Sequence, residues 1–161
     1  LSRFLNRQCR LVFLPGDSVR RLDPDYARPT DQTAFSDGFP LLLISEASLH
    51  DLNRRLAQPV AMKRFRPNLV VTGCAPYAED GWRRIRVDSI EFRLVKPCAR
   101  CSVTTIDPES GHKGEEPLRT LSQYRRTGNR VLFGQNVIHD NCGEIRLGMR
   151  VEVLEGAEMT D

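Results

Sequence analysis

Apolar residues recur along this chain in several distinct patterns, and each predicts a different element. Leu41-Leu42-Leu43-Ile44 is a short continuous run, the pattern of a strand buried on both faces. It passes directly into Ser45 to Leu56, where Ser45 can cap a helix and Leu49, Leu52 and Leu56 fall on one helical face. Leu69 to Thr72 reads as a second buried strand. Ile90, Phe92 and Leu94 alternate with Glu91 and Arg93, as in a half-buried strand, and Arg84 to Val87 pairs with it as a hairpin across Asp88-Ser89. The β-branched run Val103 to Ile106 reads as another strand, closed by the turn Asp107-Pro108-Glu109-Ser110-Gly111. A second helix is predicted from Pro117 through Leu118, Leu121 and Tyr124, with Glu115 and Glu116 at its positive end. Val131 to Phe133, Asn136 to His139, Glu144 to Leu147 and Arg150 to Leu154 read as short strands separated by Gly134, Gly143 and Gly148. Residues 15 to 38, rich in Pro, Asp and Gly, form a long connection with little regular structure. Many short strands with glycine corners predict a mainly β fold, a β-barrel with a few peripheral helices.

Composition narrows the picture without changing it. A chain of 161 residues that is 40% hydrophobic is expected to form one domain with its own core. It begins with Leu1, so an excised domain or a processed product is expected. No stretch approaches the roughly 20 apolar residues of a membrane span, and no signal peptide is recognisable, so the expected compartment is a cytosol. Five cysteines at irregular spacing argue against a secreted disulfide framework. The net charge of +3 falls well short of a nucleic-acid-binding module. Basic residues cluster as Lys63, Arg64 and Arg66 and as Arg83, Arg84 and Arg86. The guanidinium fork suits a phosphate group, but the second cluster alternates along a strand and reads as a solvated face. A single aromatic residue, Phe65, falls within these clusters, too few for a platform of stacked bases.

The most informative chemistry lies in Cys98-Ala99-Arg100-Cys101. A redox dithiol sits at a helix N-terminus, whose dipole lowers the first thiol's pKa. The β-branched run after Cys101 argues against that arrangement, leaving either a metal-ligating thiolate on a strand end or an ordinary buried cysteine. Zinc is one possibility, since Cys98 and Cys101 could join His139 and Cys142 in a four-ligand site. Cys9 and Cys74 have no partner pattern and read as small buried apolar residues, while His50 reads as an exposed helix residue.

Five blocks then occur in order: Phe35-Ser36-Asp37-Gly38-Phe39-Pro40; Ser45-Glu46-Ala47-Ser48-Leu49 followed by Asp51-Leu52-Asn53; Arg64-Phe65-Arg66-Pro67-Asn68-Leu69-Val70-Val71; Pro97-Cys98 with Arg100-Cys101, Thr104-Thr105 and Asp107-Pro108; and Leu132-Phe133-Gly134-Gln135-Asn136. From about residue 33 to residue 154 the chain resembles the MOSC domain, named for the C-terminal domain of molybdenum-cofactor sulfurase. Within that superfamily it is most similar to the amidoxime-reducing component family and its bacterial relatives. The resemblance implies a β-barrel MOSC domain spanning 1–161 that binds the molybdenum cofactor, with molybdopterin rather than pyridoxal phosphate as the organic part. It implies that Cys101 is the metal ligand and the catalytic residue, and that Gly38, Phe39, Arg66, Asn68, Ala99, Arg100 and Asn136 contact the cofactor. Molybdenum takes a soft thiolate, which agrees with that role for Cys101. At Asn136 the family's mitochondrial members tend to carry an aromatic residue, so this position departs from the pattern.

The activity implied is reduction of N-hydroxylated compounds such as hydroxylamino-purines, amidoximes or hydroxamates. The implied partners are an N-terminal β-barrel domain of the same parent chain, the small-molecule substrate, and an electron donor. That donor is a two-iron ferredoxin domain or a cytochrome b5-type system. Neither the N-terminal domain nor a ferredoxin cysteine run occurs in this sequence, so the fragment alone is expected to bind cofactor poorly and to be inactive. Neither a membrane nor a nucleic acid is an expected partner. The bacterial-like cytoplasm is the expected setting. Two other readings stand beside the reductase: a cofactor or sulfur carrier module, and a zinc-stabilised interaction domain. No residue is assigned as general acid, although Asp107 and His139 are candidates to lie near the pocket.

Overall fold

The computed structural model describes residues 1–156, and these form one mixed sheet with three short helices. In chain order the elements are α1 (Ser2–Leu5), β1 (Leu41–Ser45), α2 (Glu46–Asn53), β2 (Leu69–Val71), β3 (Trp82–Val87), β4 (Ile90–Ala99), α3 (Leu118–Tyr124), β5 (Arg126–Thr127), β6 (Arg130–His139) and β7 (Val151–Gly156). The strands run in the order β2-β1-β6-β4-β3-β7, with β5 paired to β6. Only β1 and β2 are parallel, joined by a crossover that contains α2; all other pairs are antiparallel. The path ends at β2 and β7, so the sheet is a curled half-barrel of the MOSC type expected from the sequence.

Both faces of the sheet are covered. Leu43, Ile85, Phe92, Leu94 and Val137 pack together on one face. Ile44, Phe65 and Phe133 pack on the other against Leu49 and Leu52 of α2 and Leu121 of α3. The continuous run Leu41 to Ile44 divides between the two cores residue by residue, which explains why it shows no alternation. Ser45 ends β1 and caps α2, its hydroxyl accepting the Ser48 amide hydrogen at 3.1 Å. One oxygen of the buried Glu79 carboxyl accepts from the Ser45 amide (3.0 Å) and the Ser48 hydroxyl (2.7 Å), tying the junction to the fold, while its other oxygen is buried without a partner among the described residues.

The central strand β6 merges two segments expected to be separate. Gly134 does not turn the chain; it shifts the strand's phase. Val131 and Phe133 face the helix-covered core, while Val137, also at an odd position, faces the opposite one. Two ladder irregularities mark the change, one at Leu94–Lys96 and one at Pro97–Ala99 of β4. Gly134 has φ +82°, and a Cβ there would lie 2.6 Å from Ile44 Cγ1 and 2.9 Å from the Leu43 carbonyl oxygen.

Other expectations are corrected. Ser102–Thr105 is a 3-10 turn instead of a strand, because Thr104 Oγ1 donates to the Cys101 carbonyl (2.9 Å) and Thr105 Oγ1 to the Ser102 carbonyl (2.7 Å). Those hydroxyls give the backbone an alternative to ladder bonds. Glu144 to Leu147 lies outside every ladder and is exposed, with no strand beside it. Helix α2 stops at Asn53, whose side-chain amide donates to the Val60 carbonyl (3.0 Å) and whose side-chain oxygen accepts from the Val60 amide (2.9 Å), leaving Leu56 on the following turn. The strand at Leu69–Val71 is only partly buried, since Val70 is exposed.

The long connection of residues 15–38 has little regular structure, yet it is firmly tied. Arg93 of β4 donates to both carboxylate oxygens of Asp31 at 2.9 Å and to Asp140 at 2.6 Å, and all three side chains are largely buried. Burial alone would raise the Asp31 pKa. The Arg93 hydrogen bonds, the Arg28 amide and the neighbouring positive charges outweigh it and hold the carboxyl below its ordinary value.

Two predictions follow from this geometry. Gly134→Ala forces both a disfavoured backbone and a clash, and is expected to cost about 3 kcal/mol in chemical denaturation. Because Asp31 is depressed in the folded state, its contribution is present above the ordinary value of 3.8 and is lost as pH falls through the lower folded value. Asp31→Asn should therefore lower stability at neutral pH by about 2 kcal/mol, and the gap to the unaltered protein should close below about pH 4 in paired denaturation curves.

Candidate functional site

The residues singled out in the sequence lie along a lip made of the segment ahead of β2, the middle of β6 and the loop after β4, which strand register and the bond from Arg100 to the Phe65 carbonyl link to one another. Asn68 precedes β2. Its amide donates to the Leu42 carbonyl at 2.9 Å, and its side-chain oxygen accepts from the Leu42 amide at 3.0 Å. Both groups that fix Asn68 are therefore on β1, and its side-chain NH₂ keeps its donors. Leu42 pairs with Asn136 on β6, and Asn136 pairs with Lys96 on β4. Lys96 continues the row: its ammonium lies 3.9 Å from the centre of the Tyr26 ring and 5.9 Å from that of Phe39. The sheet thus lines up Asn68, Asn136, Lys96 and Phe39 across four neighbouring segments.

Cys101 stands just past the end of β4. It is exposed and free, in extended conformation (φ −110°, ψ 180°), at the start of the 3-10 turn. Its backbone is held on both sides. The Arg100 amide donates to the Val131 carbonyl of β6 at 2.7 Å, and the Cys101 carbonyl accepts from the Thr104 hydroxyl (2.9 Å) and amide (3.2 Å). A fixed backbone with a free sulfur is the arrangement a metal-ligating thiolate needs. Cys98 is half-buried behind it.

Arg100 connects this loop to the segment ahead of β2. Its guanidinium donates to the Phe65 carbonyl at 2.8 Å and to Cys98 Sγ at 3.0 Å, while its buried Nε has no partner. The Arg100 side chain is thus anchored to the Phe65 carbonyl and Cys98, next to exposed Ala99. Immediately after Phe65, Arg66 takes a left-handed conformation (φ 56°) and is exposed. Such a backbone in a non-glycine residue costs about 1–3 kcal/mol and is concentrated at functional positions. Of the first basic cluster, Lys63 pairs with Glu109 and Arg64 with Asp107, but Arg66 pairs with none of the described carboxylates. The second cluster is the solvated face expected: Arg84 bridges Glu91 and Glu155, and Arg86 bonds Glu152.

The loop before Gly38 and Phe39 is held by Arg20, a residue that sequence reasoning missed. One guanidinium donates to three carbonyls, those of Ala34 (2.8 Å), Ser36 (2.5 Å) and Asp37 (2.9 Å). No local signal marks a cation that serves main-chain oxygens 14 to 17 residues away. Asp107 is structural: the Ser110 and Glu109 amides and the Ser110 hydroxyl bond its carboxylate, and these together with the Arg64 charge hold its pKa below the ordinary range. His139 ends β6 as an exposed residue paired in register with Phe92. A cleft of about 840 Å³ opens beside Arg64, Thr105 and Asp107, but Cys101, Arg66, Asn68 and Asn136 do not line it. The lip is open surface beside the cleft.

The zinc arrangement is not formed. Among the described residues no three His, Cys, Asp or Glu side chains come together as a metal-holding group, so Cys98, Cys101, His139 and Cys142 are not gathered. The physical reason is that β4 and β6 run antiparallel: Ala99 pairs with Leu132, whereas His139 pairs with Phe92 at the far end of the ladder. No helix of the described residues is long and apolar enough to cross a membrane.

Comparison with known proteins adds to this geometry. The sequence profile of the MOSC domain matches residues 30–152. Mitochondrial amidoxime-reducing component 1 of Homo sapiens is 44% identical over 81% of this chain and 41% of its own length. The protein of that name from Mus musculus is 41% identical over 96% of this chain and 49% of its own length. Mitochondrial amidoxime reducing component 2 of Homo sapiens is 45% identical over 70% of this chain and 33% of its own length. The chain therefore spans about half or less of the length of each of these relatives.

Exposure orders the five thiols. Cys9, Cys101 and Cys142 are exposed, Cys98 is half-buried, and burial pushes the Cys74 thiol above its ordinary pKa. Brief alkylation at pH 7.5 followed by peptide mass spectrometry should modify Cys101 with the first group and Cys74 last; a slow Cys101 would remove the basis for treating it as an open ligand.

Proposed function

The chain belongs to the MOSC domain family, and from that membership and the free donors along the lip we propose that it is the molybdenum-cofactor-binding domain of a reductase of N-hydroxylated compounds. The observation that carries the reading is an exposed Cys101 on a pinned backbone, on the same lip as an Arg66 that has no carboxylate partner among the described residues. The residues fit the group chemically. Cys101 offers the soft thiolate, Arg66 and the Asn68 NH₂ offer donors to anionic or carbonyl oxygens, and the Arg100 Nε is a buried donor without a partner. Gly38, Phe39, Ala99 and Asn136 complete the proposed contacts. In this arrangement Asn136 presents an amide from mid-sheet where an aromatic residue is usual in mitochondrial family members.

When bound, the cofactor supplies two-electron reduction at a thiolate-ligated metal, so that an N–OH group, two electrons and two protons become N–H and water. The protein's own part is to hold the sulfur, orient the pterin through the Gly38–Phe39 loop and the Asn68 and Asn136 amides, and leave the lip open to substrate. The relatives' names support amidoximes as substrates; hydroxylamino-purines and hydroxamates share the same N–OH group. We assign the chain to a longer parent that also carries an N-terminal β-barrel domain and draws electrons from a ferredoxin domain or a cytochrome b5-type partner. The 161 residues alone should bind cofactor weakly. The relatives are named as mitochondrial, and those names lend no support to a bacterial-type cytosol.

The test is elemental analysis and turnover of the parent protein, purified from a host that makes molybdopterin. Molybdenum near one per chain, falling at least tenfold in Cys101→Ala together with reduction of benzamidoxime or hydroxylamino-purine, is the expected result. Molybdenum that survives the substitution removes Cys101 as ligand. Bound molybdenum without reduction of any N-hydroxylated compound favours a cofactor or sulfur carrier.

A further inference from the structure

The least satisfied part of the described chain lies ahead of the long connection. Arg10-Leu11-Val12-Phe13-Leu14 has the composition of a buried strand. Yet Leu11 and Phe13 are each 85% exposed and Val12 is 56% exposed. Among the described residues the backbone of this run makes no hydrogen bond, although the Ser2 hydroxyl ties the residue before it, Cys9. The short helix α1 just upstream likewise leaves Phe4 89% and Leu5 56% exposed. In an extended segment Leu11 and Phe13 point to one side and Val12 and Leu14 to the other. Apolar residues on both faces and unpaired main-chain groups on both edges describe a strand taken from the interior of a sheet.

The comparisons indicate what covers it. The match to the Mus musculus relative takes in 96% of this chain, so the run lies within the shared sequence, but only 49% of the relative. A chain of that kind holds about as much sequence again with which the run can pack. We propose that Arg10–Leu14 is a β-strand of a second folded unit in the parent protein, hydrogen-bonded within that unit's sheet, with Phe4 and Leu5 of α1 packed on the same core. The inference rests on the reading of this chain as one domain of a longer reductase, and it names the residues that cross the boundary. Domain association by a shared strand fixes the lip relative to the second unit more tightly than surface contact can, since ladder bonds set both direction and register.

The experiment is intact mass and amide hydrogen exchange on the endogenous, full-length protein. The expected result is a mass well above 18.3 kDa, with the Val12 and Phe13 amides exchanging at least about a hundredfold slower than an unstructured peptide. Exchange at the free-peptide rate in a protein of that mass overturns the strand assignment and leaves the longer parent standing. An intact mass of 18.3 kDa overturns the parent reading itself. Protection that grows with protein concentration alongside a dimer mass assigns the run to a second copy and also overturns the proposal. As a second readout, Phe13→Glu should lower the thermal midpoint of the parent by several degrees, while Leu147→Glu, at the most exposed apolar position, should leave it unchanged; equal effects count against the proposal.

Discussion

The fold depends on how closely β6 passes β1 at Gly134. At that point Ile44 Cγ1 and the Leu43 carbonyl occupy the space a side chain would need. The backbone there takes a conformation open to glycine at little cost. The consequence is a strand whose first half supplies Val131 and Phe133 to one core and whose second half supplies Val137 to the other. The phase shift also sets the lip, because it turns Asn136 into register with Leu42 and Lys96. Packing and candidate site are therefore one constraint seen at two ends of the same bulge.

Much of this architecture was legible in the sequence, for reasons that can be stated residue by residue. The alternation of Ile90, Phe92 and Leu94 against Glu91 and Arg93 gives β4 its buried and half-buried faces. Ser45 caps α2 where a capping residue follows an apolar run. The misses have different causes, one local and the others set by what lies beside the segment in the fold. Thr104 and Thr105 carry strand-forming side chains, yet their hydroxyls bond carbonyls three residues back and wind the chain into a 3-10 turn. Glu144 to Leu147 alternates well enough for a strand but lies beside none, and a half-buried pattern without a ladder has no way to satisfy its backbone as β-structure. At the candidate site the blocks containing Arg66, Asn68 and Cys101 were recognisable; the Arg20 and Arg100 contacts that fix their loops were not, because both run from guanidinium to main-chain oxygen.

Charge is distributed in a way that separates structural from available arginines. Arg84, Arg86 and Arg93 each face one or two carboxylates across the sheet, and Arg64 is tied to Asp107. Pairs this exposed stabilise the fold only slightly, the largely buried Arg93 network excepted. Arg66, with no carboxylate partner among the described residues and held in a left-handed backbone between Phe65 and Pro67, keeps its paired donors open to an anionic group.

The position of Cys101 completes the argument. A cysteine within a regular strand has its sulfur directed into a core or flat to solvent, and a cysteine on a mobile loop loses entropy whenever it takes a ligand. Here the Val131 carbonyl holds residue 100 to the sheet, and the Thr104 hydroxyl and amide hold the carbonyl of residue 101 to the turn. The sulfur is left exposed on a backbone that is already ordered, so the ligand role proposed for it would cost little in ordering. The threonines that defeated the expectation of a strand are the ones that hold the thiol in place. The departure from local propensity after Cys101 thus falls where a pre-organised site needs it.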